Sequence, residues 1–149
     1  MIRINRQTDY AVRVILALSK RGLGERASTS EIQREMLIPP ALAQRIVAEL
    51  ARGGFVQTFP GRDGGLSLSR PSNEINLRQV VEHFEGKLFI SDCLVGKGEC
   101  PFDNNCPVRC RWARLQATVM QELEQVTFDD LAQEALSVEG LASLGIVQL

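Results

Sequence analysis

The chain has 149 residues, 44% of them hydrophobic and 23% charged, which is enough apolar content to bury a core and argues against disorder. No stretch reaches the roughly 18 uninterrupted apolar residues of a membrane span, and the opening MIRINRQTDYAVRV lacks the features of a secretory leader, so a cytoplasmic protein with no membrane partner is expected. The net charge of −1 hides an asymmetry: residues 1–72 hold eleven Lys/Arg against six Asp/Glu, and residues 73–149 hold six against twelve. A basic half suits a polyanion, and an acidic half some other task.

From Tyr10 to Leu18 the run YAVRVILAL predicts a buried helix, capped by Thr8 or Asp9 and ended by Gly22 and Gly24. Ser28 with Glu31 three residues on forms a capping box for a short helix, SEIQREM, which must stop before Pro39. Pro40 suits the first turn of a third helix, ALAQRIVAELAR, closed by Gly53 and Gly54. Leu42, Ile46, Val47 and Leu50 make its apolar stripe, leaving Ala41, Gln44, Arg45 and Ala48 outside. Two strands follow, FVQTF and LSLS, joined by Pro60-Gly61-Arg62-Asp63-Gly64-Gly65, whose glycines supply positive-φ positions.

Residues 77–85 predict a fourth helix ended by Gly86. All four cysteines, Cys93, Cys100, Cys106 and Cys110, then fall in one turn-rich stretch, DCLVGKGECPFDNNCPVRC. No C-x-x-C pair occurs, so the tight knuckle of structural zinc is missing, and thiolates on a flexible loop suit an iron–sulfur cluster at least as well. In a cytoplasmic protein, clustered thiols point to ligands or redox sensors rather than disulfides. A long helix over about 109–126 follows, with Trp112, Leu115, Val119, Leu123 and Val126 on one stripe. That stripe is too long for a small domain to cover and implies a second copy of the chain, a homodimer. Thr127 or Asp129 caps a last helix, DLAQEAL.

Two short helices joined by a tight turn, then a glycine-tipped hairpin, make a winged helix-turn-helix. The fold class is therefore mainly α with a small β-hairpin wing, a DNA-binding domain over 1–72 and a loop and dimerisation arm over 73–149. Gln44 and Arg45 offer bidentate side chains to base edges beside the short Ala41. Arg62 at the wing tip meets phosphate or the minor groove, and the hydroxyls and backbone N–H groups at Ser28 and Ser30 meet phosphate. His83, the sole histidine, lies on an apolar helix face and reads as a packed residue.

These segments together, QTDYAVRVILAL, STSEIQREM, ALAQRIVAELARGGFVQ, GRDGG, LRQVVEHFEG and the cysteines before a long helix, resemble the winged-helix repressors that include the iron–sulfur regulator IscR and the nitric-oxide sensor NsrR. The resemblance covers nearly the whole chain. It implies a homodimer on a pseudo-palindromic operator, with Cys93, Cys100 and Cys106 at the family's three ligand positions for a four-iron or two-iron cluster. For the fourth ligand Arg109 aligns with the histidine of IscR-type relatives, so that ligand is absent. Asp9 matches the carboxylate that NsrR-type relatives donate from the partner's first helix; it is preferred, with Cys110 its competitor and helix capping its other role. Gln44 stands where some relatives carry a base-reading glutamate, and Asp63 adds an acid to the wing.

The expectation is thus a DNA-binding transcriptional regulator controlled by an iron–sulfur cluster that senses nitric oxide, oxygen or iron–sulfur status. The alternatives are a winged-helix regulator using the cysteines for zinc or as a thiol switch, and an iron–sulfur electron carrier, against which the missing C-x-x-C-x-x-C spacing counts. No paired catalytic carboxylates, nucleophile elbow or phosphate loop suggest an enzyme.

Overall fold

A computed structural model describes residues 3–96, 100–103 and 105–137, so residues 138–149 of the expected arm lie outside the described residues. Helix α1 spans Arg6–Arg21 and begins earlier than expected. Its cap is Asn5, whose side chain accepts the Thr8 N–H at 2.9 Å. Thr8 is fully buried and its hydroxyl donates to Glu85, while Asp9 stays on the surface, so neither expected cap is used. Helix α2, Thr29–Glu35, has the reciprocal Ser28–Glu31 capping box. Helix α3, Pro40–Arg52, starts on proline, which supplies the helical φ where no N–H is needed. Its buried stripe is Ala43, Ile46, Val47 and Leu50; Leu42 is only half-buried, packed at the margin of the core.

Strands β1 (Val56–Phe59) and β2 (Gly65–Leu68) form the antiparallel wing, with Phe59 opposite Gly65 at its open end. Gly61 and Gly65 take the positive φ values, and the expected Gly64 does not. Gly65 is needed twice over: its φ is +122°, and a Cβ there would sit 2.5 Å from the Ala27 carbonyl. The reason is that Ala27 pairs with Leu66, exchanging bonds of 3.0 and 2.8 Å, and adds a third edge to the wing.

The core runs across residue 72. Ile75, Val80 and Phe128 join Ile15, Leu18, Ile32, Leu50 and Leu66 in a single buried cluster. Helix α4 (Leu77–Glu85) packs on α1, and so does α6 (Phe128–Leu136), whose cap is Thr127 with a box to Asp130. The entries to α4 and α6 are laced together: Leu77 N–H bonds the Val126 carbonyl at 3.0 Å and Phe128 N–H bonds the Ile75 carbonyl at 2.9 Å. Between them α5, Pro107–Gln125, leaves the body and returns to it. None of its residues is buried. It touches α4 through Arg78, which bonds Glu82 at 3.2 Å and Glu124 at 2.9 Å, and Gln116 bonds the Leu88 carbonyl and the Ile90 N–H. No helix among the described residues is long and apolar enough to cross a membrane.

Candidate functional site

The outer side of α3 exposes Ala41, Gln44 and Arg45. The last two diverge. Gln44 lines a cleft of about 330 Å³ shared with Thr29, Ala48, Thr58, Phe59 and Gly65, between α3 and the wing. Arg45 lines a smaller pocket on the other flank with Gln7, Glu49 and His83. Arg62 and Asp63 are both exposed at the wing tip. Ser28 and Ser30 are exposed at the start of α2, but the Ser28 N–H is already donated to Glu31 at 2.7 Å, and its hydroxyl oxygen accepts the Glu31 N–H at 3.1 Å. The expectation that this N–H meets phosphate is corrected: the capping box has taken it. The same bonds from Ser28, the backbone one foremost, hold the Glu31 carboxyl below the usual carboxylate range.

Sequence reasoning missed Arg26, whose guanidinium lies 3.5 Å from the centre of the Phe59 ring. A lone arginine in a loop carries no motif, and only the tertiary pairing of Ala27 with Leu66 brings it there.

The four cysteines are free thiols; Cys93, Cys100 and Cys106 are half-buried and Cys110 is exposed. Cys93 lies in a short turn, Asp92–Leu94, with its sulfur 3.2 Å from the Ser91 hydroxyl oxygen. Cys93 and Cys100 line one cavity of about 230 Å³ with Asp92, Gly96 and Asp103. Cys106 and Cys110 line an adjoining one of about 590 Å³ with Asp103 and Arg109. Cys106 is also the cap of α5, its sulfur accepting the Arg109 N–H at 3.4 Å. Asp103 therefore stands between the two cysteine pairs, its carboxylate 3.4 Å from Arg109. Among the described residues no three Cys, His, Asp or Glu side chains are gathered as a metal-binding group.

Asp9 is half-exposed and ion-paired with Arg13. Glu85, at the end of α4 where the cysteine segment begins, accepts the Asn5 N–H and the Thr8 hydroxyl, tying that segment to the first turn of α1. His83 is packed edge-on between Phe55 and Phe84, with Nε2 2.9 Å from Glu49, and is engaged in the body of the protein rather than in the loop.

A helix-turn-helix with an exposed third helix and a hairpin wing defines a winged-helix regulator of transcription. The Rrf2 family model, described as an iron-dependent transcriptional regulator, matches residues 4–134, and the chain belongs to that family. Protein aau3 of Rhizobium meliloti is 30% identical over 145 residues, 96% of this chain and 93% of its own. The HTH-type transcriptional regulator NsrR of Oceanobacillus iheyensis is 27% identical over 97% of this chain and 98% of its own. Among solved structures CymR, the global cysteine regulator of B. subtilis, has a TM-score of 0.74 at 22% identity, covering 89% of this chain and 98% of CymR. T. potens IscR has a TM-score of 0.71 at 17% identity, covering 90% and 88%. At these identities the likeness is one of fold.

Proposed function

We propose that this regulator is a cytoplasmic homodimer whose grip on a pseudo-palindromic operator is controlled by an iron–sulfur cluster held by Cys93, Cys100 and Cys106. The observation that carries the reading is the pair of adjoining cavities, which line up three half-buried thiols around Asp103 in a segment with little regular backbone. Soft sulfur donors of this kind fit such a cluster chemically. The sulfurs are not gathered in the described conformation, so Asp103 and Arg109, standing between them, are the groups that must yield when the thiolates converge. Bound there, a cluster supplies iron that nitric oxide or oxygen can attack at its most weakly held corner.

Asp9 from the second chain is the fourth ligand in this reading, and Cys110 its competitor. The capping role that rivalled it belongs to Asn5, which leaves the Asp9 carboxylate to the surface. Gln44 reads a base edge, Arg45 and Arg62 add charge, and Ser28 and Ser30 flank the phosphates by their hydroxyls. The homodimer rests on α5, which buries none of its residues within the chain.

Anaerobic purification followed by absorbance, iron and sulfide analysis and gel shift on the same samples tests this. Cys93→Ala, Cys100→Ala or Cys106→Ala should each abolish cluster retention, and a nitric-oxide donor should lower the operator affinity of the wild type. Full iron content in Cys93→Ala, or unchanged DNA binding after complete nitrosylation, overturns the sensor reading. The ungathered thiols and the exposed Cys110 favour a second reading, a direct thiol switch, which predicts a colourless protein whose DNA binding responds to oxidants.

A further inference from the structure

A recognition helix in the major groove and a wing reaching toward the adjacent minor groove straddle one sugar–phosphate backbone of the duplex. Whatever lies between them faces that strand. In this chain the space between is the cleft bordered by Thr29 on α2, Gln44 on α3, and Thr58 and Phe59 on β1. Its floor is fixed: Gly65 approaches the Ala27 carbonyl too closely for any side chain, and Ala27 is bonded to Leu66 from both its N–H and its carbonyl. Arg26, the residue before Ala27, is thereby delivered to the rim, where its guanidinium lies over the Phe59 ring at 3.5 Å from the centroid.

The charges around this cleft leave a cationic vacancy. At the wing tip Arg62 is followed by Asp63, and the start of α2 carries Glu31. Arg26 is exposed and forms no ion pair among the described residues, with Glu25 beside it in sequence equally unengaged. A guanidinium laid over an aromatic ring keeps its N–H donors at its own rim, free for a bidentate contact with phosphate oxygens. The ring also limits the arginine's freedom before DNA arrives, so less order is lost on binding.

We propose that the cleft between α3 and β1 seats one phosphodiester strand of duplex DNA and that Arg26, held by Phe59, is its phosphate-binding cation. The inference rests on the DNA-binding reading above and adds a residue to it. Because phosphate contacts carry no sequence information, the operator is not needed to test it.

The experiment is fluorescence anisotropy of the full chain with a labelled mixed-sequence duplex over a potassium chloride series. Arg26→Ala should lower affinity about tenfold at low salt and flatten the slope of log K against log salt by about 0.9, the release expected for one lost phosphate contact. Arg26→Lys keeps the charge without the planar fork and should retain the wild-type slope with intermediate affinity. Phe59→Leu should weaken binding by about two- to threefold with the slope unchanged, since it removes the stack and not the cation. Arg111→Ala, on the exposed face of α5, serves as a charge control and should bind like the wild type. Wild-type affinity and slope in Arg26→Ala would overturn the assignment while leaving the DNA reading intact. A wild type that binds no duplex at any salt would overturn both.

Discussion

Arg13 Nη2 lies 2.8 Å from Asp9 Oδ2, one turn earlier on α1. The same guanidinium donates from Nη1 to the Met36 carbonyl at 3.3 Å, at the turn between α2 and α3. The acid proposed as fourth ligand is thus joined, through one arginine, to the hinge of the helix-turn-helix. A carboxylate drawn away to a cluster would release Arg13 and slacken its hold on that turn, which gives the site a physical route to the recognition helix.

The first prediction follows from how little this pair does for folding. Both side chains are about half-exposed, so the ion pair contributes no more than about 1 kcal/mol. Asp9→Ala should leave the urea midpoint nearly unchanged, yet leave the cluster labile and the operator affinity indifferent to it. A collapse of stability in Asp9→Ala would mean that the residue is structural and the coupling misread.

Leu37, in the turn just after Met36, carries the second. Its φ is +53°, and it is the sole non-glycine in the left-handed region among the described residues. It is also 81% exposed, so the side chain gains little burial in return. Leu37→Gly should relieve about 1–2 kcal/mol of backbone strain and give back part of it in unfolded-state entropy, a net gain of about 0.5 kcal/mol. Leu37→Val should cost about 1 kcal/mol, because a β-branched residue tolerates positive φ poorly. Urea denaturation reads both signs, and the reverse order would show that the turn is not limited by its φ.

These two residues also mark where the sequence is readable and where it is not. Capping signals are local, so the Ser28–Glu31 box and the proline start of α3 were legible from spacing alone. Asn5 was not, because several good caps crowd the stretch before α1 and only the long-range bond to Glu85 takes Thr8 out of contention. The stripe of α3 was misjudged by one residue, since periodicity alone cannot say whether Leu42 or the smaller Ala43 faces the tightest contact. Cysteine spacing announced a thiol site, but the Asp103–Arg109 pair lodged between the thiols arises from irregular backbone, which no period encodes. Closure of the core by Phe128 was equally hidden: it depends on the pairing of residues near 75 with residues near 127.

Acid should expose the third prediction, at α6. Thr127 bonds the Asp130 carboxylate through its hydroxyl at 2.6 Å and its N–H at 3.0 Å, and these bonds, the hydroxyl first, hold that carboxyl below the usual carboxylate range. A depressed carboxyl stabilises the fold fully above its unfolded value and loses that contribution as pH falls through its folded one, so the loss sets in below about pH 4. Asp130→Asn should lower the urea midpoint at neutral pH and decline less than the wild type on acidification. An acid limb identical to the wild type's would remove Asp130 from the account and leave Glu31, the other depressed capping acid, as the next to test by Glu31→Gln.

The last prediction concerns α5, whose Trp112 and Leu115 remain 39% and 45% exposed on a helix that buries none of its residues. Large apolar side chains in line on a free helix face call for a cover, and a second α5 is the simplest self-complementary one. Leu115→Asp would set two carboxylates against each other across such a two-fold contact, so sedimentation should give a dimer mass for the wild type and a monomer mass for the variant at micromolar concentration. Because α5 gives no side chain to the core, the variant's DNA-binding body should stay folded, with Phe128 and Ile15 still packed. Affinity for a single half-site should then survive while affinity for a full palindrome falls, since two linked bodies gain from one another and two separate ones do not. A wild type that sediments as a monomer would overturn the dimer, and loss of half-site binding in the variant would show that α5 supports the body after all.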